Sequence, residues 1–439
     1  MTVRARSAFV AVVLAVSTAT GLALSVSSPG NAQDWRGPAL ASFDEAWQTI
    51  HDTFYDPAFG GVDWDAVRTE LRPKVEAAAS PEAARVVIRA MLSQLHRSHF
   101  VLLSSDSATD ALPGEATAAI DLRMSAPGLV VTSVWMGSSA AEAGLRPGDV
   151  IQQIDGQSIT DWLRASTGAD DRARNLEVWR RAYRALHGET GSHVKFVVQS
   201  PGGENRVVDV TRAREPGQVV KLGNLPPLHV TFETQGKTTA SNHRVGVIAF
   251  NYWMATLNGP ISAAVDQYRQ DAGLVIDLRG NSGGLAEMIS GVAGHLIAQP
   301  VLLGRMQMRN VELHFQVNPR LSTPDGRSVT PFSGPVAILV DELSASASEC
   351  FAGALQSLGR ARIFGRQSMG QALPASTKLL SNGDVLMYAI GDFVTATGRR
   401  LEGTGVLPDE AQPLSIAALA AGRDLTLEAA ITWIDGTSK

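Results

Sequence analysis

The second half of the chain alternates short apolar runs with helical patterns, and this alternation restricts the possible folds more than any other feature. The apolar runs are residues 244–250, 273–278, 335–340 and 361–364. The helical patterns are residues 261–268, 284–297 and 346–358. Strands that are apolar along most of their length are typical of a sheet covered on both faces. The pattern predicts a layered α/β core over residues 216–439, with a hairpin turn at residues 381–384.

Two other patterns precede this core. Over residues 43–95 apolar side chains recur at three- and four-residue spacing, which predicts a helical module that we assign to residues 33–103. A stretch containing Gly, Ser, Asp and Pro over residues 104–114 is typical of a linker. Short strand patterns at 128–134 and 149–154 then predict a β-rich domain over residues 115–215.

Composition excludes several classes of function. With 439 residues, 44% of them hydrophobic and 18% charged, the chain is globular and long enough for two or three domains. The net charge of -5 and the lack of a Lys/Arg cluster argue against a nucleic-acid partner. A single cysteine, Cys350, excludes an intrachain disulfide and any multi-cysteine metal site.

The N-terminus predicts export. Arg4 and Arg6 precede a largely apolar, uncharged stretch over residues 7–31, and Gly30-Asn31-Ala32 supplies the small residues that a signal peptidase requires. We therefore expect residues 1–32 to be a secretory signal cleaved near Ala32, which would leave a periplasmic or secreted protein. The alternative is an uncleaved membrane anchor, and only in that case would the chain contact a membrane.

Two strand-to-helix junctions carry candidate chemistry. In "VAILVDELSASASECFAGAL", Ser346 lies at a predicted helix N-terminus, where free N–H groups and the helix dipole favour negative charge. Ser346 with Glu349 three residues later is also a capping box, which by itself explains both residues. In "VIDLRGNSGG", the glycines allow close approach of the backbone and can present N–H donors. This junction lacks GxGxxG spacing and the Walker lysine, so phosphate binding has little support.

The residues "GLVVTSVWMGSSAAEAGLRPGDVIQQIDGQSI" over 128–159 resemble a PDZ domain of the bacterial type. The resemblance implies that the C-terminus of another chain binds as an added strand. Its carboxylate would be held by the loop of Ser125, Ala126, Pro127 and Gly128. Arginines are frequent over residues 160–187, but acidic residues are interspersed among them, which favours a solvated helix over a basic binding face.

Three motifs in order, "LRGNSGG", "DELSASASE" and "LEGTGVLPD", resemble the serine peptidase family of C-terminal-processing (tail-specific) proteases and the tricorn core. The resemblance extends from Phe43 to Pro413 and implies a crotonase-like α/β core, a β-α spiral, over residues 216–439. It implies that Ser346 is the nucleophile. It also implies that the oxyanion donors are the N–H of Ala347 and that of Gly283 or Gly284.

The general base departs from one branch of that family. C-terminal-processing proteases carry a lysine twenty-five residues after the nucleophile, where this chain has Gln371, which cannot accept a proton from serine. Lys378 is the only lysine nearby. The tricorn-like branch instead implies His99 as the base, because "LSQLHRSHFVLL" resembles its histidine segment. Ser98 then matches a serine that orients the charge network, and Glu402 matches the acid.

The resulting hypothesis is an exported serine endopeptidase with no metal or organic cofactor, acting on unfolded proteins or on protein and peptide substrates with free C-termini. Alternatives remain open. His96 and His99 could bind a metal, although the sequence suggests no further ligands. The chain could also be a catalytically inactive peptide-binding scaffold, or an esterase with the same triad. The sequence leaves the oligomeric state open.

Overall fold

A computed structural model describes residues 34–105, 116–125, 128–323 and 325–437. The predicted signal segment 1–32 lies outside these ranges, as do Ala126, Pro127 and most of the predicted linker. Within the described ranges no helix is both long enough and apolar enough to cross a bilayer.

The N-terminal module consists of three helices and a short strand. They are α1 Arg36–Thr53, α2 Trp64–Glu76, α3 Pro81–Ser93 and β1 Val101–Leu103, with a 3-10 turn at Phe59–Gly61. The side chains of Asp63 and Ser80 cap α2 and α3 by accepting from the N–H groups three residues later. The apolar positions of the predicted helical pattern form one core that includes Phe43, Ile50 and Ile88.

The second module is the predicted β-rich domain. Its strands are β2 Ala116–Thr117, β3 Ile120–Ser125, β4 Gly128–Val134, β5 Val150–Ile154, β6 Gln157–Ser158, β7 His187–Gly188, β8 His193–Gln199, β9 Asn205–Thr211 and β10 Ala213–Arg214. Its helices are α4 Ser139–Glu142, α5 Ile159–Ala165 and α6 Asp171–Leu186. An antiparallel path runs β3-β4-β5-β8-β9. Val178, Ala182 and Leu186 attach α6 to the core of this module.

The third module is the α/β core. Its strands are β11 Gln218–Val220, β12 Leu228–Val230, β13 Phe232–Thr238, β14 Arg244–Phe250, β15 Gly273–Asp277, β16 Val301–Met308, β17 Glu312–Val317, β18 Val336–Val340, β19 Arg362–Gly365, β20 Ala375–Leu379, β21 Val385–Ala389, β22 Gly391–Thr395 and β23 Glu410–Ala411. Its helices are α7 Asn258–Gln267, α8 Met288–Ala293, α9 Ala347–Ser357, α10 Ile416–Ala420 and α11 Leu425–Thr437, with a 3-10 turn at Ala255–Leu257.

The main sheet of this core has the order β13-β14-β15-β18-β19-β23, and every pair after β13-β14 is parallel. Helices α7, α8 and α9 share a core with one face, and α11 packs on the other through Ala430 and Ile434. Burial on both faces explains the apolar runs, and the expected multidomain α/β architecture is confirmed. Parallel strands β15 and β18 deliver the two candidate junctions to the same edge of the sheet.

One predicted helix, residues 284–297, is wrong in extent, because α8 spans only Met288–Ala293. The backbone on both sides of Gly284 instead pairs with Trp253. Trp253 N–H donates to Gly283 O at 2.8 Å, and Leu285 N–H donates to Trp253 O at 2.8 Å. These bonds hold the glycine turn extended and delay the start of the helix.

The helical module is attached to a hairpin of the core. Strand β1 pairs antiparallel with β21, which pairs with β20 across the predicted turn. Beside it Arg85 and Asp384 form a buried two-point ion pair, with Nε–Oδ2 at 2.9 Å and Nη2–Oδ1 at 3.0 Å. Asp384 also accepts from the Ser105 N–H at 2.8 Å. The segment that carries His99 is thereby fixed against the core.

Replacing Arg85 by alanine leaves the Asp384 carboxylate buried without its charge partner. We expect Arg85→Ala to lower the free energy of unfolding by about 3–5 kcal/mol, measured by urea denaturation. The matched control is Lys74→Ala, which removes an exposed pair with Glu70 and should cost about 0–1 kcal/mol. Equal effects of the two substitutions would contradict a role for this ion pair in holding the module.

Candidate active site

Ser346 lies immediately before α9 in a strained backbone conformation, with φ 55° and ψ −120°. A non-glycine residue with positive φ persists only where its surroundings impose it. Here the Ser346 N–H donates to the Gln371 carbonyl at 2.8 Å and to Glu349 Oε2 at 3.2 Å. The second bond is the glutamate half of the predicted capping box. Both bonds fix the serine at the N-terminal tip of α9.

Glu349 does more than cap the helix. Its fully buried carboxylate also accepts from Ser368 Oγ at 2.5 Å, Gly370 N–H at 2.6 Å and Gln371 N–H at 2.9 Å. Burial raises the pKa of Glu349 to about 7, against the opposing effect of these hydrogen bonds. Sequence reasoning assigned Glu349 only to the helix cap. The structure shows that it joins α9 to the segment containing Gln371.

The glycine turn lies directly against Ser346. A Cβ on Gly283, whose φ is 100°, would be 2.6 Å from the Ser346 Cβ. The Gly283 N–H donates to Asn281 Oδ1 at 2.9 Å and is therefore engaged. By contrast, the N–H groups of Gly284 and Ala347 donate no hydrogen bond within the described part of the chain. Of the predicted oxyanion donors, these two are the available pair.

Asp341 ties the two junctions together. Its Oδ1 accepts from the N–H groups of Gly280 at 2.9 Å and Leu343 at 3.0 Å, and its Oδ2 accepts from Arg123 Nε at 2.6 Å. Burial alone would raise the pKa of Asp341, but the adjacent Arg123 guanidinium holds it below its ordinary value. Because Arg123 lies on β3, this carboxylate also connects the β-rich module to the core.

His99 lies between α3 and β1 and is linked to Glu402 through Ser98. The distance from His99 Nδ1 to Ser98 Oγ is 2.7 Å. Ser98 donates to Glu402 through both Oγ and its backbone N–H, each at 2.9 Å. The second oxygen of Glu402 also accepts from the Ala372 N–H at 3.0 Å. The three predicted residues thus form a serine-mediated relay rather than a direct histidine–carboxylate pair.

The relay is connected to Ser346 through two consecutive residues. Gln371 O accepts from Ser346, and the next N–H, that of Ala372, donates to Glu402. Within the described residues, no hydrogen bond joins the Ser346 hydroxyl to the His99 ring. The structure therefore brings Ser346, Ser98, His99 and Glu402 to one site. The hydrogen bond that proton transfer would require, between Ser346 and His99, is not formed.

Burial and the charge of Arg180 lower the pKa of His99 from 6.5 to about 4. Both causes disfavour the imidazolium form, so the ring is neutral at neutral pH. A neutral imidazole is the form that can accept a proton.

The competing assignments receive no support from the geometry. Lys378 Nζ donates to Thr49 Oγ1 at 2.9 Å and so contacts the helical module. His96 is exposed, and no group of three His, Cys, Asp or Glu suited to a metal occurs among the residues described. Cys350 is buried in the core.

In the predicted carboxylate loop, Ser125 and Gly128 pair across β3 and β4.

Helix α6 lies closer to the candidate site than the sequence predicts. The arginine-containing stretch was expected to be a solvated helix, yet α6 contacts the candidate site. Arg172 donates to the Ser368 carbonyl, and Arg180 Nη2 lies 3.4 Å from Gln371 Oε1. The interspersed acidic residues could not reveal this docking, because it depends on residues almost two hundred positions away.

Comparisons with protein-family models agree with the three modules. Residues 244–412 match the model of peptidase family S41, residues 39–93 match the tricorn protease C1 domain, and residues 130–180 match a PDZ domain. The carboxyl-terminal-processing peptidase 3, chloroplastic, of Arabidopsis thaliana is 27% identical over 372 residues, covering 83% of this chain and 67% of the relative.

Solved structures show the same fold. The photosystem II D1 C-terminal processing protease has a TM-score of 0.56 at 24% identity, covering 85% of this chain and 93% of that chain. Mature CPAF has a TM-score of 0.65 at 14% identity, covering 92% and 98%. At these identities the similarity establishes the fold alone. The resemblance identified in the sequence is confirmed, while the site residues stay a prediction.

The pKa of His99 can be measured directly. We expect its ring proton resonances, assigned by their loss in His99→Asn, to titrate well below pH 6.5 and close to pH 4 in an NMR pH series. The reason is that burial and Arg180 both penalise the charged ring. Titration at or above pH 6.5 would contradict the electrostatic description of the site.

Proposed function

We propose that this chain is a member of peptidase family S41 and an exported serine endopeptidase that cleaves unfolded or tail-bearing proteins with Ser346, His99 and Glu402. Its relatives and family models establish a serine-type peptidase. The observation that carries the finer assignment is the shared main-chain segment: Gln371 holds the nucleophile while Ala372 holds the carboxylate that orients the base.

The hydrogen-bond directions give His99 the tautomer that a base requires. Ser98 Oγ donates its proton to Glu402, so it can only accept from His99 Nδ1–H. A proton on Nδ1 leaves Nε2 as the acceptor for the Ser346 hydroxyl proton. Once protonated, the ring is stabilised by Glu402 through the Ser98 hydroxyl, and it returns the proton to the leaving amine.

Attack by Ser346 on a peptide carbonyl forms a tetrahedral oxyanion and then an acyl-enzyme, which water hydrolyses. The unengaged N–H groups of Gly284 and Ala347, beside the N-terminus of α9, suit the stabilisation of that negative charge. The mechanism requires Ser346 and His99 to approach hydrogen-bonding distance when substrate fills the cleft, as catalytic contacts often tighten in the complex.

The PDZ domain would deliver substrate. Its loop from Ser125 to Gly128 would bind a free C-terminus, with the bound segment added beside the sheet as an extra strand. The proposed location, periplasmic or secreted, is supported by the sequence of residues 1–32.

A fluorophosphonate probe and a quenched peptide test the assignment together. We expect Ser346→Ala to abolish both labelling and peptide cleavage. His99→Ala should lower kcat by roughly 10²–10⁴-fold, because it removes the general base. Full activity of His99→Ala would eliminate this mechanism. Hydrolysis of simple esters without peptides would indicate an esterase, and an unlabelled, inactive protein would indicate a binding scaffold.

Gly283 provides a steric test of the same site. In Gly283→Ala the new methyl group would meet the Ser346 side chain, so we expect kcat/KM to fall at least roughly 10²-fold, the scale of a disturbed oxyanion site. The control is Gly291→Ala within α8, where a Cβ has no neighbour within 4 Å. The proposed geometry would be contradicted if both variants retained wild-type kcat/KM.

A further inference from the structure

Arg180 presents a guanidinium at the active site without an acidic partner. Its neighbours Val178 and Ala182 are buried, which fixes α6, while Arg180 itself remains accessible to solvent. Its hydrogen bond is to a neutral group, Gln371 Oε1, at 3.4 Å. Among the described residues, no carboxylate lies within salt-bridge distance of Arg180.

Other arginines around the site have definite partners. Arg123 pairs with Asp341, and Arg366 pairs with Glu342. Next to Arg180 on the same helix, Arg181 donates to Gln157 Oε1 at 2.6 Å and lies over the Trp162 ring at 4.3 Å. The guanidinium of Arg180 therefore lacks the carboxylate partner that Arg123 and Arg366 have, and it also lacks the close amide and ring contacts of Arg181.

The position of Arg180 places this charge beside the reacting groups. The residue it contacts, Gln371, is the one whose carbonyl holds the Ser346 N–H. Its charge also acts on His99, whose pKa it lowers after the larger effect of burial. A carboxylate bound to Arg180 would belong to a peptide already positioned at Ser346.

We propose that Arg180 is a specificity-determining residue that binds a carboxylate of the peptide substrate in the active-site cleft. The carboxylate is either an acidic side chain near the scissile bond or the free C-terminus of a short peptide. A planar guanidinium pairs with a carboxylate through two parallel hydrogen bonds. The inference rests on the proposed peptidase function and adds a recognition site separate from the PDZ loop.

Recognition and catalysis are coupled by this arrangement. A bound carboxylate neutralises the charge that disfavours the His99 imidazolium, so the ring becomes a better base when the correct substrate is present. The preference is therefore expected in kcat as well as in KM, whereas a purely structural arginine would affect all substrates alike.

Three matched peptides, which differ only in where they carry a carboxylate, test the proposal. The first is neutral with a C-terminal amide, the second has a free C-terminus, and the third carries an internal Glu in place of Gln with the amide retained. We expect the wild type to prefer at least one of the two carboxylate peptides over the neutral one by roughly 10–100-fold in kcat/KM. This is the factor that one charge-assisted hydrogen-bonded pair contributes. Arg180→Gln should lose that preference, and Arg180→Lys should retain part of it. Arg181→Gln is the matched control and should keep it.

Binding separates this proposal from the proposed function. The same peptides, fluorescently labelled, are titrated into Ser346→Ala and into Ser346→Ala/Arg180→Gln, and affinity is read by polarisation. Preference for the free C-terminus identifies a terminal carboxylate, and preference for Glu identifies a side chain. A preference that persists without Arg180, or an equal loss for all three peptides, would overturn the proposal. Arg180-dependent binding without wild-type cleavage would instead contradict the peptidase function.

Discussion

The buried carboxylate of Glu349 is the interaction on which the candidate site depends. Ser346 occupies a backbone conformation that costs on the order of 1–3 kcal/mol for a residue with a side chain. Glu349 helps to hold it there and at the same time binds three donors of the segment around Gln371. A carboxylate surrounded by fixed donors is costly to bury unless all of them stay in place. Fixed hydrogen bonds therefore hold Ser346 in this conformation in the unliganded protein.

A second carboxylate, Glu402, extends this hydrogen-bond network to the segment that carries His99. It binds Ser98 twice and the main chain beside Gln371 once, so that a loop from the helical module is placed against the core. In the proposed mechanism position 371 therefore needs no basic side chain. The main chain at position 371 holds the serine, and its side chain faces Arg180. In the proposed mechanism, proton transfer is carried out by His99.

Much of the fold follows from local sequence. The apolar runs predicted β14, β15 and β18 nearly to the residue, because strands buried on both faces leave a continuous hydrophobic signal. Motif resemblance named Ser346, His99 and Glu402. The parts that sequence could not predict are contacts between distant segments. The sequence predicts Glu349 only as a helix cap, a longer helix after Gly284, and a solvated helix at α6. The structure differs in each case because the outcome depends on a partner that is distant in sequence.

In the proposed mechanism His99 deprotonates Ser346, although the two side chains make no hydrogen bond in the unliganded protein. A crystal structure of the protein with a peptide aldehyde or boronate bound to Ser346 would test this proton transfer. We expect His99 Nε2 to lie within roughly 2.6–3.2 Å of the Ser346 oxygen or of the adduct oxygen that replaces the leaving group. We also expect the oxyanion of the adduct to accept hydrogen bonds from the Gly284 and Ala347 N–H groups. If the His99 ring stayed remote from Ser346 in the adduct and another group took its place, His99 would not be the general base.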